Sequence, residues 1–300
     1  DQVTTSAVTD FLKGQVQLNQ KNAAILAKSL DPRFLLSAMD DGVVKQALLN
    51  QDPALCSTVI NGIVATSANS EKLKAMVSFA SSRDPQGTLG WVRDLPQSGI
   101  KDEYLKSCYY SIFSSLDPRQ GSYVNLMPPK GSPDREIAVK SLGEVMGNGA
   151  RESSQLVDLV GFSNQLDSSE RGLFFSSSLH KATWNAPEAV VETISNPNSG
   201  IALDESQRSA LFRDAATSWS RRDPEAAALW IVEQPEGDAK NGFVEAMMKQ
   251  WIAKDAVNAS EWLASCPQSK SRNAGIKILI ESLRKTDPQR AAEWQSAISN

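Results

Sequence analysis

His180 is the only histidine among 300 residues. A histidine becomes a catalytic base only when folding brings a nucleophile or a carboxylate to it. Ser176, Ser177 and Ser178 lie just upstream, but on a helical stretch without the glycine-rich elbow that exposes a nucleophilic serine. The expected role of His180 is a solvent-facing helical residue. Cys56, Cys108 and Cys266 are isolated, with no Cys-x2-Cys pair, which argues against the usual zinc spacings and a disulfide scaffold. Cys56 and Cys108 fall on small or apolar helix positions and are expected as buried, inert thiols. No acidic run has the spacing of a Ca²⁺ loop. Paired acids could cleave sugar or peptidoglycan, and Glu144, Glu152 and Asp158 are where such a pair would be sought, although nothing in their spacing recommends them. Asn258-Ala259-Ser260 is a formal glycosylation sequon inside a helical stretch. No catalytic residue, metal site or cofactor is expected.

The elements that must position these residues are announced by Asp-Pro. The pair occurs at 52–53, 84–85, 117–118, 223–224 and 287–288, with Asp255-Ala256 in register. The steps 52 to 84, 223 to 255 and 255 to 287 are each 32 residues, a period that marks a stacked repeat. Weaker starts follow near Arg151-Glu152 and at Ala186-Pro187. Stepping back from Asp52 lands on Gln20, so Asp31-Pro32 is expected in mid-repeat. Aspartate accepts from free N–H groups at a helix start, and proline at the first helical position lacks an N–H that would be unpaired anyway. A small residue recurs three positions after the proline (Cys56, Thr88, Gly121, Ala227, Ala259, Ala291). A large one recurs six after it (Val59, Trp91, Val124, Trp230, Trp262, Trp294), on the same helical face. The Trp row is expected as core.

Pro96, Pro129, Pro235 and Pro267 stop the first helix. A basic residue then opens the second: Lys101, Arg135, Lys240 and Arg272, matched by Arg171 and Arg208. Each is expected to pair with a neighbouring repeat's Asp or to lie over a Trp face. Asp167 with Glu170, and Asp204 with Gln207, read as capping boxes. The second helices are amphipathic, as in Leu105, Cys108, Tyr109 and Ile112, or Ile276, Leu279, Ile280 and Leu283. Val8, Phe11, Leu12 and Val16 form a similar N-terminal stripe. No strand-like alternation appears. The expectation is one all-α domain over 1–300: a capping helix at 1–19, eight two-helix repeats of 32–37 residues at 20–286, and a final helix at 287–300. Stacked, they would form a right-handed α-α superhelix.

This organisation resembles the tetratricopeptide-like superfamily of helical repeats, in which proline closes a repeat and large and small apolar residues alternate along paired helices. It departs from that consensus in the second proline and in its Gly and Ala positions. It looks closer to the divergent Trp-x3-Asp-Pro repeats of exported planctomycete and verrucomicrobial proteins, carried here by Trp219 to Pro224 and, with Ala for Pro, Trp251 to Ala256. The resemblance spans about 20–299 and is strongest over 84–116 and from Asp223 onward. It implies a scaffold, an extracytoplasmic home and no catalytic residue.

Composition narrows the partner. A net charge of −4 argues against a phosphate-backbone binder, so no nucleic acid is expected. The apolar runs are too short to insert in a membrane. A removed targeting segment, and with it a periplasmic location, stays open. The leading expectation is a non-enzymatic scaffold for a protein or peptide. The alternatives are a hydrolase with paired carboxylates and the regulatory ectodomain of a membrane-anchored protein. Partner contacts are expected where the rhythm fails, at Met127, Pro129 and Lys130 in a proline-rich turn and at Asn196 and Asn198 in an expanded loop, both on the inter-helix edge.

Overall fold

The computed structural model describes residues 2–63, 66, 69–115, 123–201 and 203–298. Asp117-Pro118, Gly121, Ser299 and the side chain of Val124 lie outside them. Among the described residues every regular element is a helix and none is a strand, so the chain is all-α. It clusters into two compact units, Asp1–Leu142 and Gly143–Asn300.

The first unit holds α1 (Gln2–Leu18), α2 (Gln20–Ala27), α3 (Pro32–Ala38), α4 (Gly42–Gln51), α5 (Leu55–Gly62), α6 (Ser70–Arg83), α7 (Pro85–Arg93), α8 (Gly99–Ser114), α9 (Tyr123–Leu126) and the start of α10 (Arg135–Gly149). The second holds the rest of α10, then α11 (Ser153–Ser163), α12 (Ser168–Asn185), α13 (Pro187–Ser195), α14 (Glu205–Arg222), α15 (Pro224–Val232), α16 (Asp238–Ser265), α17 (Lys270–Leu283) and α18 (Pro288–Ser296). Within each unit, substantial packing joins only helices one to three places apart along the chain.

The helix starts follow the aspartates. Asp84, Asp223 and Asp287 each accept from the third backbone N–H onward, at Gly87, Ala226 and Arg290. Asp255 does the same toward Asn258. Its backbone (φ −155°, ψ 88°) breaks α16 in the conformation of Asp223 (φ −142°, ψ 85°), although no proline follows. The aspartate cap therefore suffices to restart a helix. Both expected capping boxes are complete, at Asp167/Glu170 and Asp204/Gln207.

Two local expectations are corrected. Asp31-Pro32 opens a helix of its own, α3, because the Asp31 carboxylate accepts from Arg33 N at 2.9 Å and Pro32 takes the first helical position. Conversely, Pro53 lies in a turn and α5 starts only at Leu55.

The small row is buried at Cys56, Thr88, Ala227, Ala259 and Ala291, which lets neighbouring helices approach. The Trp row differs from the core expectation, for Trp91, Trp230, Trp262 and Trp294 are only half-buried. The buried tryptophans are Trp219 and Trp251, on the preceding second helices. Trp219 meets Trp230 with centroids 5.9 Å apart, and Trp251 meets Trp262 at the same 5.9 Å. Trp230 also approaches Phe243 at 5.4 Å and Phe212 at 6.0 Å, so Trp230 and Trp262 pack on aromatic neighbours while staying only half-buried. In α1, Leu12 and Val16 are buried but Phe11 is exposed.

Candidate functional site

The end of every first helix leaves backbone carbonyls without intrahelical partners. The row of basic residues answers that need. Lys101 Nζ donates to the carbonyls of Arg93 and Leu95, both at 2.7 Å. Lys240 Nζ repeats this toward Val232 (3.2 Å) and Gln234 (2.8 Å). Arg272 Nε donates to Leu263 O at 2.9 Å, Arg171 Nε to Leu166 O at 3.1 Å, and Arg135 Nη1 to Pro128 O at 2.6 Å. Arg208 Nη1 donates to Ile194 O. Main-chain oxygens of the same helix pair thus recur as partners of this row where Asp or Trp was expected. Lys240 also pairs with Glu236 at 2.9 Å, and Arg272 Nη1 donates to Gln268 Oε1 and to Ala297 O. A cation there satisfies the orphan acceptors and faces the negative end of the helix dipole.

This clamp shapes the edge where a first helix turns into a second, and cavities open there. In the first unit a cavity of about 330 Å³ lies between the end of α7, the start of α8 and the proline-rich turn before α10. Pro128, Pro129, Pro133 and Leu105 supply its apolar wall, and Arg93, Gln97, Lys101, Asp102, Ser132 and Asp134 its polar groups. The turn is held by Ser132 Oγ donating to Pro129 O at 2.7 Å and by Gly131 at φ +83°, a left-handed backbone suited to glycine. In the second unit the corresponding edge after α13 carries a cavity of about 210 Å³ lined by Ile194, Arg208, Phe212, Pro235 and Lys240, among others.

Beneath the larger cavity three distant residues meet. Arg93 Nε donates to Asp134 Oδ2 at 2.8 Å, Arg93 Nη2 donates to the Tyr109 hydroxyl oxygen at 2.7 Å, and that hydroxyl donates to Asp134 Oδ2 at 2.5 Å. Tyr109 and Asp134 are buried, whereas the Arg93 side chain is 44% exposed. Burial pushes the Tyr109 phenol up, and its hydrogen bond to the Asp134 carboxylate pushes it further. Burial also works to raise the Asp134 carboxyl, but the hydrogen bonds from Tyr109 and Arg93 outweigh it and hold the group below the usual aspartate range.

The residues singled out in the sequence fall unevenly around this site. Pro129 lines the cavity and is exposed, Lys130 is exposed on the same turn, and Met127 is buried. Asn196 and Asn198 are exposed in the second unit, where Asn196 Oδ1 accepts from Asn198 N at 2.9 Å and closes a local turn. Glu152 and Asp158 are exposed and Glu144 is half-buried. His180 is exposed and its Nδ1 lies 2.9 Å from Asp214 Oδ2, while Ser178 Oγ donates to Phe175 O. Cys56 and Cys108 are buried, and burial raises both thiols, Cys108 to about 11. The Arg93–Tyr109–Asp134 network was not foreseen. Its only sequence trace is an arginine closing α7 and an aspartate just before α10.

Among the described residues no group of three or more His, Cys, Asp or Glu is placed to hold a metal ion, and no helix is long and apolar enough to cross a membrane. No family model matches the chain, nor does any curated protein or solved structure at significant similarity.

Proposed function

We propose that the chain is a non-enzymatic repeat scaffold that holds a protein or peptide along the edge where first helices turn into second helices. The observation that carries this reading is the 330 Å³ cavity built by the proline-rich turn, the place where the repeat departs from its own pattern. The repeated aspartate caps, the repeated carbonyl clamps and packing confined to near neighbours support an array of the tetratricopeptide-like or Trp-x3-Asp-Pro kind, about eight helix pairs in a right-handed superhelix. Such arrays keep their structural positions interchangeable and place recognition at the exceptions.

Hydrolysis by paired carboxylates has less support. A general acid needs a raised pKa, whereas Asp134, the buried acid of the cavity, is held ionised by Arg93 and Tyr109.

The test is selection of linear peptides from a displayed random library, followed by anisotropy titration of the enriched sequences. Enriched peptides whose affinity falls on Pro129→Asp or Lys130→Glu support the reading. No enrichment, or peptides indifferent to both substitutions, overturns it.

A further inference from the structure

We propose that the cavity between α7, α8 and the 128–134 turn is a site for a small zwitterion: an apolar amino acid or a very short peptide with its ammonium and carboxylate both free. This goes beyond the docking of a macromolecular partner and does not depend on it. Three features carry it.

The first is size. At about 330 Å³ the cavity stands at the small end of ligand sites and suits a molecule of one or two residues.

The second is charge balance. The polar lining holds two cations, Arg93 and Lys101, and two carboxylates, Asp102 and Asp134. A lining without net charge does not select a polyanion such as a nucleotide, and it gives no advantage to a ligand carrying a single charge. It complements a molecule that carries one charge of each sign.

The third is which groups remain available. Asp134 Oδ2 is committed to Arg93 and Tyr109, and two of the Lys101 protons go to carbonyls. Arg93 spends Nε and Nη2 on the network, yet among the described residues its Nη1 has no partner, and the side chain is 44% exposed. The network fixes that guanidinium in place, so a carboxylate binding Nη1 meets a donor with little conformational freedom left to lose. Asp102 uses Oδ1 to accept from Gln97 Nε2 at 2.9 Å, and its Oδ2 has no partner among the described residues. It is the acceptor for the ammonium. Leu105, Pro128 and Pro129 then face the apolar side chain.

The experiment is calorimetric titration of the intact chain with leucine, leucyl-leucine, N-acetyl-leucyl-leucine, leucyl-leucine amide and the N-acetylated amide that lacks both charges. Saturable binding of leucine or leucyl-leucine is expected, and which of the two binds tells a free amino acid from a peptide. Removing either ligand charge should weaken binding about tenfold or more, because a hydrogen bond to a charged group is lost with it. Asp102→Asn keeps the acceptor for Gln97. It should lower affinity for the free dipeptide and leave the N-acetylated one unchanged, with an unaltered melting curve. Absence of saturable binding by any probe at millimolar concentration, or equal binding of the dipeptide lacking both charges, overturns the proposal.

Discussion

Replacing Gly147 by alanine should destabilise the second unit, against the ordinary preference of helices for alanine. In a helix interior that preference favours alanine by about 1 kcal/mol. A Cβ at Gly147, however, would lie 1.9 Å from the carbonyl oxygen of Ser178 and 2.8 Å from its Cα. These are backbone atoms of α12 and cannot swing aside. Real Cβ atoms essentially never come within 3.0 Å of such a neighbour, so α10 and α12 must separate by about 1 Å (3.0 − 1.9 = 1.1). One turn earlier a Cβ at Gly143 would stand 2.7 Å from Phe174 O, so the close approach runs along both helices. Overpacking of this kind costs about 1–3 kcal/mol, and here it must exceed the propensity gain. Gly172→Ala is the control, since nothing lies within 4 Å of its Cβ position. That variant should gain roughly 0.5–1 kcal/mol. The propensity gain is common to both, so the two variants should differ by the overpacking cost, about 1–3 kcal/mol, or roughly 2–12 °C in Tm for a unit of this size. Scanning calorimetry of the two variants beside the parent reads the difference directly. Equal melting temperatures for Gly147→Ala and Gly172→Ala would refute the close helix approach.

Asp223→Ala should cost about 1 kcal/mol through loss of the cap on Ala226 N, and Asp255→Ala a similar amount, both measured by denaturant titration. Arg272→Met strands the carbonyl of Leu263 beside a buried site and should cost about 2 kcal/mol, more than Lys277→Met on the exposed side of the same helix. Tyr104, pushed up to about 12 by burial and then by Cys56, and Tyr109, pushed up by burial and Asp134, stay protonated in the fold while unfolded tyrosines ionise near pH 10. Their contribution is complete below that pH and is lost above it, at up to about 1.4 kcal/mol per pH unit for each group. Tyr109→Phe should flatten the fall when denaturation midpoints are compared between pH 8 and pH 11. Cys56 and Cys108, buried and raised, should resist a thiol reagent at neutral pH, and the half-buried Cys266 should react first, as mass spectrometry of the labelled chain will show.

Local chemistry made much of the fold legible. Asp84, Asp223 and Asp287 cap helices because a carboxylate just before the first helical residue accepts from its free N–H groups, and the two capping boxes follow from residue types three positions apart. Asp31-Pro32 was misplaced because the period outweighed the same local rule that explains the other caps. The basic residues were visible, but their acceptors are main-chain oxygens, which carry no mark in a sequence. Half-burial of the tryptophans depends on which neighbour reaches each indole face, a long-range property. The Arg93–Tyr109–Asp134 network joins residues 16, 25 and 41 positions apart, and no spacing rule foretells such a meeting. Nothing in the repeat rhythm marks Gly143 and Gly147, whose close approach to α12 emerges only once the partner helix is placed.

The proposed scaffold requires helix pairs that repeat with interchangeable junctions. Deleting 223–254, one 32-residue unit, tests this most directly. The deletion joins Arg222 to Asp255 and offers Trp262 to Trp219 in place of Trp230, in the same register. Circular dichroism of the shortened chain should show helix content per residue unchanged and a single cooperative thermal transition, with Asp255 capping the helix that follows α14. A chain that loses its cooperative transition, or whose helix content falls by much more than about the tenth removed (32 of 300 residues), would contradict the repeat architecture.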